Sequence, residues 1–171
     1  MSGIRTIVVD PPWPFRDRLP GGGRGAAKHY SLLSIADIAA FDLPPLDDDC
    51  RLFLWRVASM QEEALAVART WGFIPKAEIV WVKSKNPPTL TIGMGRQVRM
   101  AHEVCLIAIK GRPERLSMAV PSVVFAPRGK HSAKPDEFYD MVERLSPGPY
   151  ADIFARRQRD GWLCVGNEVD D

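Results

Sequence analysis

Cysteine is scarce in this chain of 171 residues: three residues, Cys50, Cys105 and Cys164, odd in number and far apart. No CxxC pair occurs, which excludes a disulfide-stapled secreted scaffold and a zinc ribbon and leaves core thiols in a reducing compartment. No run of 18 apolar residues exists, so no membrane-spanning helix is expected. The first residues, Met1 to Arg5, lack the apolar stretch of a signal peptide. The expected location is the cytoplasm of a prokaryotic or phage-infected cell. Three histidines are too few and too scattered for a metal centre: His102-Glu103 has no third ligand at a useful spacing. Repeats and low-complexity tracts are missing apart from Gly21-Gly22-Gly23. Neither that triplet nor Gly93-Met94-Gly95 sits between a strand and a helix, as a dinucleotide fingerprint requires.

What is present is an ordinary globular composition, 46% hydrophobic and 26% charged, which argues against a disordered chain. The length predicts a single domain over residues 1–171, able to bury roughly 70% of its unfolded surface. The net charge of +2 conceals segregation. Residues 1–30 carry +3, 31–50 carry −5, 83–130 carry +7 and 131–171 carry −4. The basic blocks are either scattered solvated side chains or a local anion-binding face.

Ile4 to Val9 is short, apolar and β-branched, and it stops at Asp10-Pro11-Pro12, which reads as a buried strand. Residues 14–33, rich in Gly, Pro and Arg, read as a long loop. Ser34 caps a short helix through Ala40; a second strand covers Arg51–Val57. Ser59 and Glu62 form a capping box opening a helix to about Thr70, with Gly72 beyond its end. Strands follow at Ala77–Lys83, Val104–Ile109 and Ser122–Ala126, with a basic loop over 84–100. Pro135 at the first helical position starts a helix through Leu145. Tyr150–Ala155 and Trp162–Val165 are the last strands. Continuous apolar strands alternating with helices predict an α/β fold, a mostly parallel twisted sheet with helices on both faces. Ligands in such folds sit beyond the carboxyl ends of the strands.

Asp10-Pro11-Pro12-Trp13 lies at such an end. One reading is a proline-stopped strand with a core tryptophan. The other is chemical. The N6 amine of adenine is a poor nucleophile, and an Asp carboxylate with a carbonyl on the rigid Pro-Pro segment can both accept its hydrogens. Trp13 could then stack on an extruded base. The four residues resemble the DPPW motif of N6-adenine methyltransferases.

Nearly the whole chain resembles the family named after the seventy-kilodalton subunit of the messenger-RNA adenosine methyltransferase. The matching stretches include Leu52–Trp55, Trp71–Phe73, Ile79–Lys83, His102-Glu103, His131–Glu137, Glu143–Gly148, Asp152–Arg156, Gly161-Trp162 and Gly166–Glu168. The resemblance implies a Rossmann-like methyltransferase fold that uses S-adenosylmethionine. Its motif order is permuted, with the catalytic motif before the cofactor-binding end.

On its own, Lys134 is either a solvated cap residue or part of an anion site at a helix start. In the family the matching lysine takes the methionine carboxylate of the cofactor. The resemblance also places Asp10 and Arg156 at the cofactor, and Asn167 with Glu168 at the ribose hydroxyls. Gln158 and Arg159 stand where the RNA enzyme has a His-Asn pair. Tyr30 either closes the adenine pocket or is a core residue. Lys83, Arg96 and Arg99, with Arg16, Arg18, Arg24 and Lys28, form two basic loops that could converge on a polyanion. Trp55, Trp71 and Trp81 read as core aromatics. Nucleic acid is the expected partner, DNA in preference to RNA. A second copy of the chain, a homodimer, is a further expected partner, and no membrane is expected. The rival class is an inert nucleic-acid-binding subunit, against which the intact four-residue motif argues.

Overall fold

The structure, a computed structural model, describes residues 3–14, 32–95, 97–129 and 133–166. Seven strands form one sheet in the order β5-β3-β4-β2-β1-β6-β7. They are β1 (Ile4–Val9), β2 (Leu46–Arg56), β3 (Ile74–Lys83), β4 (His102–Lys110), β5 (Val123–Ala126), β6 (Tyr150–Ile153) and β7 (Trp162–Val165). The pairs β1–β2, β1–β6, β3–β5 and β6–β7 are parallel, whereas β4 is antiparallel to both β2 and β3. The sheet is therefore mostly parallel, with one reversed strand.

Burial on both faces explains the apolar runs. Ile7 and Val9 of β1 point to one cluster with Leu52 and Leu54; Val8 points to the other with Phe53 and Trp55. Helices α1 (Ile35–Ala39) and α2 (Gln61–Thr70) cover the first face through Ile38, Ala64, Val67 and Ala68. Helix α3 (Asp136–Leu145) covers the second through Phe138, Tyr139, Met141 and Val142. Trp55 and Trp81 are core residues, edge to face at 6.3 Å. Trp71 is half-buried, and its indole N–H donates to the Ala39 carbonyl at 3.0 Å.

Local chemistry sets the helix ends. Ser34 caps α1, accepting from Asp37 N–H at 3.0 Å, while the Asp37 carboxylate accepts from Ser34 N–H at 3.3 Å. The expected Ser59 cap of α2 is not formed. A turn from Val57 to Met60 moves the helix start, and Met60 is the N-cap without a side-chain hydrogen bond. Glu62 and Glu63 in the first turn favour that uncapped end electrostatically. Gly72, at φ +84°, ends α2 in the left-handed region that residues with a Cβ avoid. Pro135 is the N-cap of α3 rather than its first helical residue. Strands β2 and β3 begin earlier than their apolar cores: Ile4 pairs with Leu46 and Ile74 with Ile109.

The path from β1 through α1 to β2 runs over one face. The path through α3 to β6 runs over the other. The connections diverge between β1 and β6, and the carboxyl ends of the strands at such a divergence are where α/β sheets form the ligand-binding crevice.

Candidate active site

Asp10 is the first residue past β1, at this divergence. Its N–H donates to the Ile153 carbonyl of β6 at 3.3 Å, tying the two strand ends together. The Pro11 carbonyl accepts from Trp13 N–H at 2.8 Å, and the Pro12 carbonyl from Leu33 N–H at 3.1 Å. Each carbonyl has a second lone pair, so this tight turn leaves the Pro11 oxygen able to accept again.

Lys134, two residues before α3, reaches back 124 positions in sequence to donate to Asp10 Oδ2 at 2.7 Å. The same ammonium pairs with Glu103 Oε2 at 3.2 Å, and Glu103 Oε1 pairs with Lys83 at 2.7 Å. The four groups form a ladder, Asp10–Lys134–Glu103–Lys83, in which signs alternate. Lys134 is the most enclosed, its side chain 8% exposed and its ammonium 5.0 Å from the Trp55 ring centre. Burial alone would lower the Lys134 pKa; Asp10 and Glu103 outweigh it and raise it above the ordinary lysine value. Burial likewise pushes Glu103 up, but Lys134 and Lys83 hold it down at about 2. Lys134 and Glu103 are therefore both charged at neutral pH.

A second acid lies on the same side of the sheet. Asp152 of β6 pairs with Val8, one residue before the Ile153 carbonyl that holds Asp10. Its side chain is buried, and Tyr139 Oη donates to its Oδ2 at 2.7 Å. Arg159 stacks on the Tyr139 ring at 3.9 Å and pairs, with Arg157, to Asp136 at the start of α3. Among the described residues no lysine or arginine forms an ion pair with Asp152. Burial raises the Asp152 pKa to about 7; the Tyr139 hydrogen bond favours the anion and offsets part of that rise.

The structure thus brings together Asp10, Pro11, Lys134 and Lys83 of the sequence-derived set. Arg156 follows β6 and is half-buried. Arg99 is exposed on the 84–101 loop, apart from the ladder. Trp13 corrects an expectation: it is 2% exposed in the core, and its indole N–H donates to the Trp55 carbonyl at 2.8 Å. In this conformation it is a packing residue that anchors the turn, with no open face for a base. Pro12 ties the turn to Leu33 through its carbonyl. Gly166 permits a close approach, but to the protein itself, because a side chain there would run into the Ala155 backbone. Tyr30, Arg96, Asn167 and Glu168 lie outside the described residues, as do Arg16, Arg18, Arg24 and Lys28. Among the described residues no cluster of three His, Cys, Asp or Glu is placed to hold a metal ion, and no helix is long and apolar enough to cross a membrane.

Sequence reasoning missed Glu103 and the Asp152–Tyr139 pair as site residues. The signal for Glu103 was an acid opening an otherwise apolar strand opposite Trp81. The signal for Asp152 was an acid flanked by Ala151 and Ile153 in a short buried strand.

The MT-A70 family model matches residues 4–168. Human N(6)-adenosine-methyltransferase catalytic subunit METTL3 is 31% identical over 176 residues, covering 99% of this chain and 29% of that protein. The Drosophila melanogaster N(6)-adenosine-methyltransferase MT-A70-like protein is also 31% identical, over 99% of the chain and 28% of its own length. Type II methyltransferase M.MunI from a Mycoplasma species is 26% identical, over 98% of the chain and 78% of its own length. The chain therefore spans less than a third of the METTL3-type relatives and most of the M.MunI protein.

Proposed function

The chain belongs to the MT-A70 family, and from that premise we propose that residues 1–171 form one domain that transfers the methyl group of S-adenosylmethionine to N6 of adenine in nucleic acid, with DNA preferred. The observation that carries the reading is Asp10, held by Lys134 at the divergence of β1 and β6 within an intact Asp-Pro-Pro-Trp motif. The preference for DNA is supported by a relative matched over 78% of its own length whose name is type II methyltransferase. RNA is the alternative suggested by METTL3.

The crevice fits an amino-acid-bearing cofactor. Such a ligand end carries one carboxylate and one ammonium, and Lys134 and Asp10 offer one cation and one acid. An ammonium has three hydrogens. Asp10 and Glu103 take two from Lys134, and the third is the one for a ligand carboxylate. Arg156, Asn167 and Glu168 are proposed for the remaining cofactor contacts. When bound, the cofactor supplies an electrophilic methyl group.

The chain's own work is positioning. Lys134 fixes Oδ2 of Asp10, so Oδ1 and the Pro11 carbonyl are the two acceptors for the hydrogens of an adenine amine. Accepting both would concentrate electron density on N6 for taking up the methyl group that the cofactor would supply, its sulfur leaving as a neutral thioether. One amine proton then leaves to Asp10 or to water, and no covalent enzyme intermediate is needed. Arg96 and Arg99 would hold the nucleic-acid backbone, and Tyr30 would close the pocket over the base. Lys83 would assist from the far end of the ladder.

The test is methylation of defined DNA and RNA oligonucleotides, read by nucleoside mass spectrometry. The expected product is N6-methyladenine in DNA. Asp10→Ala should cut turnover by roughly a hundredfold or more, the scale for removing a transition-state acceptor, while Lys134 keeps Glu103 as a partner and the fold persists. Full activity of Asp10→Ala would overturn the mechanism. Methylation of RNA alone would overturn the substrate preference, and no methylation of either would favour an inert subunit.

A further inference from the structure

Three features of Asp152 stand together. It leaves β6 beside the divergence, so its carboxylate and that of Asp10 come off adjacent strand ends. It is buried, and its recorded hydrogen bond comes from a neutral donor, Tyr139. The two described cations that act on it have nearer partners: Lys134 pairs with Asp10 and Glu103, and Arg159 with Asp136 and the Tyr139 ring. A buried carboxyl without a counter-charge resists ionisation, and a cation entering the crevice would supply what it lacks.

Resting on the cofactor reading above, we infer that Asp152 is a charge-sensing specificity residue: it ionises when a sulfonium cofactor enters, giving its proton to solvent, and takes a proton back when the neutral thioether product remains. Cofactor and product differ at that sulfur by one positive charge. A site that meets the cation with a fresh anion holds the cofactor and lets the product go.

The groups facing Asp152 are Tyr139 on α3, Asp10 past β1, Lys134 before α3, Arg159 in the turn after β6 and Cys164 opposite it on β7. Tyr139 and Cys164 are shifted upward by burial, and Lys134 upward by its acids, so these three stay in their neutral-pH states. Asp152, near 7, is the neighbour that titrates around neutrality. The sign follows: rising pH ionises Asp152, so affinity for a cationic ligand rises with pH while affinity for the uncharged-sulfur ligand changes less.

The experiment is calorimetric titration of the full chain with S-adenosylmethionine and with S-adenosylhomocysteine from about pH 5.5 to about 7.5, in buffers of differing ionisation enthalpy. The wild type should release protons on binding the first ligand and bind it about tenfold more tightly at the upper pH, one pKa unit of linkage being tenfold. The second ligand should show little of either. Asp152→Asn, whose fold is checked by circular dichroism, should lose the proton release and narrow the preference for the charged ligand. Tyr139→Phe, which removes a bond favouring the anion, should move the transition to higher pH. Should Asp152→Asn fail to fold, the wild-type proton counts and Tyr139→Phe still decide. Equal proton release for both ligands, or an unchanged profile in Asp152→Asn, overturns this inference and leaves the cofactor reading standing. Binding of neither ligand to the wild type overturns both.

Discussion

Glu103 at the start of β4 and Asp152 at the end of β6 are acids on the same side of one sheet, and burial pushes both upward, yet Glu103 rests at about 2 and Asp152 at about 7. One difference is the neighbours. Glu103 lies between two ammonium groups, whereas Asp152 has a phenol. Asp152 is also the more deeply buried of the two, so in this crevice adjacent cations and depth together decide whether an acid is charged. One end of the crevice is a permanent ion ladder; the other is left electrically undecided.

Removing the shared cation should disturb that comparison most. Lys134→Met leaves Asp10 without a cation and Glu103 with Lys83 alone, and should cost about 3–5 kcal/mol in denaturant unfolding, the scale for breaking a buried pair. A cost no larger than that of an exposed pair such as Arg5–Glu114 would show that the ladder is not a structural unit.

A smaller effect is expected at Glu103 itself. Glu103→Gln leaves Lys134 its Asp10 partner and should cost about 1–3 kcal/mol. Its pH signature has a definite sign. The folded value is depressed from 4.5 to about 2, so the stabilisation is present above 4.5 and is lost as pH falls through that window. Acid unfolding curves of Glu103→Gln should lack that part of the wild-type slope.

The smallest effect should have the opposite sign. The folded value of Asp152 is raised from 3.8 to about 7, so its contribution is fully present below 3.8 and is lost as pH rises through the window. Asp152→Asn keeps an acceptor for Tyr139 and should be stabilising by on the order of 1 kcal/mol above pH 7. A destabilised variant there would mean that the charged acid is favoured after all, and the contrast with Glu103 would collapse.

Contiguous features of this site were legible in the sequence; assembled ones were not. The Asp10–Trp13 motif and its position after a strand are local, and the residues alone placed them. Trp13 had two readings because an aromatic after a strand can pack inward or stack outward, and only tertiary contact with Trp55 chooses. Lys134 was placed by resemblance, but its bond to Asp10 closes a loop of more than a hundred residues that no periodicity encodes. That the sheet is mostly parallel followed from the apolar runs, while the reversal of β4 did not. A strand buried on both faces reads alike in either direction. Ser59 failed as a cap because a turn at Val57–Met60 displaced the helix by one residue, a shift below what sequence pattern can resolve.

The position of β1 has a consequence for how the protein is made. Strand β1 is an interior strand, paired on one side with β2 and on the other with β6, which is synthesised some 140 residues later. Until β6 arrives, β1 has an open flank and Asp10 lacks the carbonyl that ties it down. Such long-range pairing makes folding slow, because loop closure must precede the contacts that reward it. Chains interrupted before residue 134 carry Asp10 without its lysine. The crevice is therefore among the last parts to form, and a partly made chain has no working fragment of it.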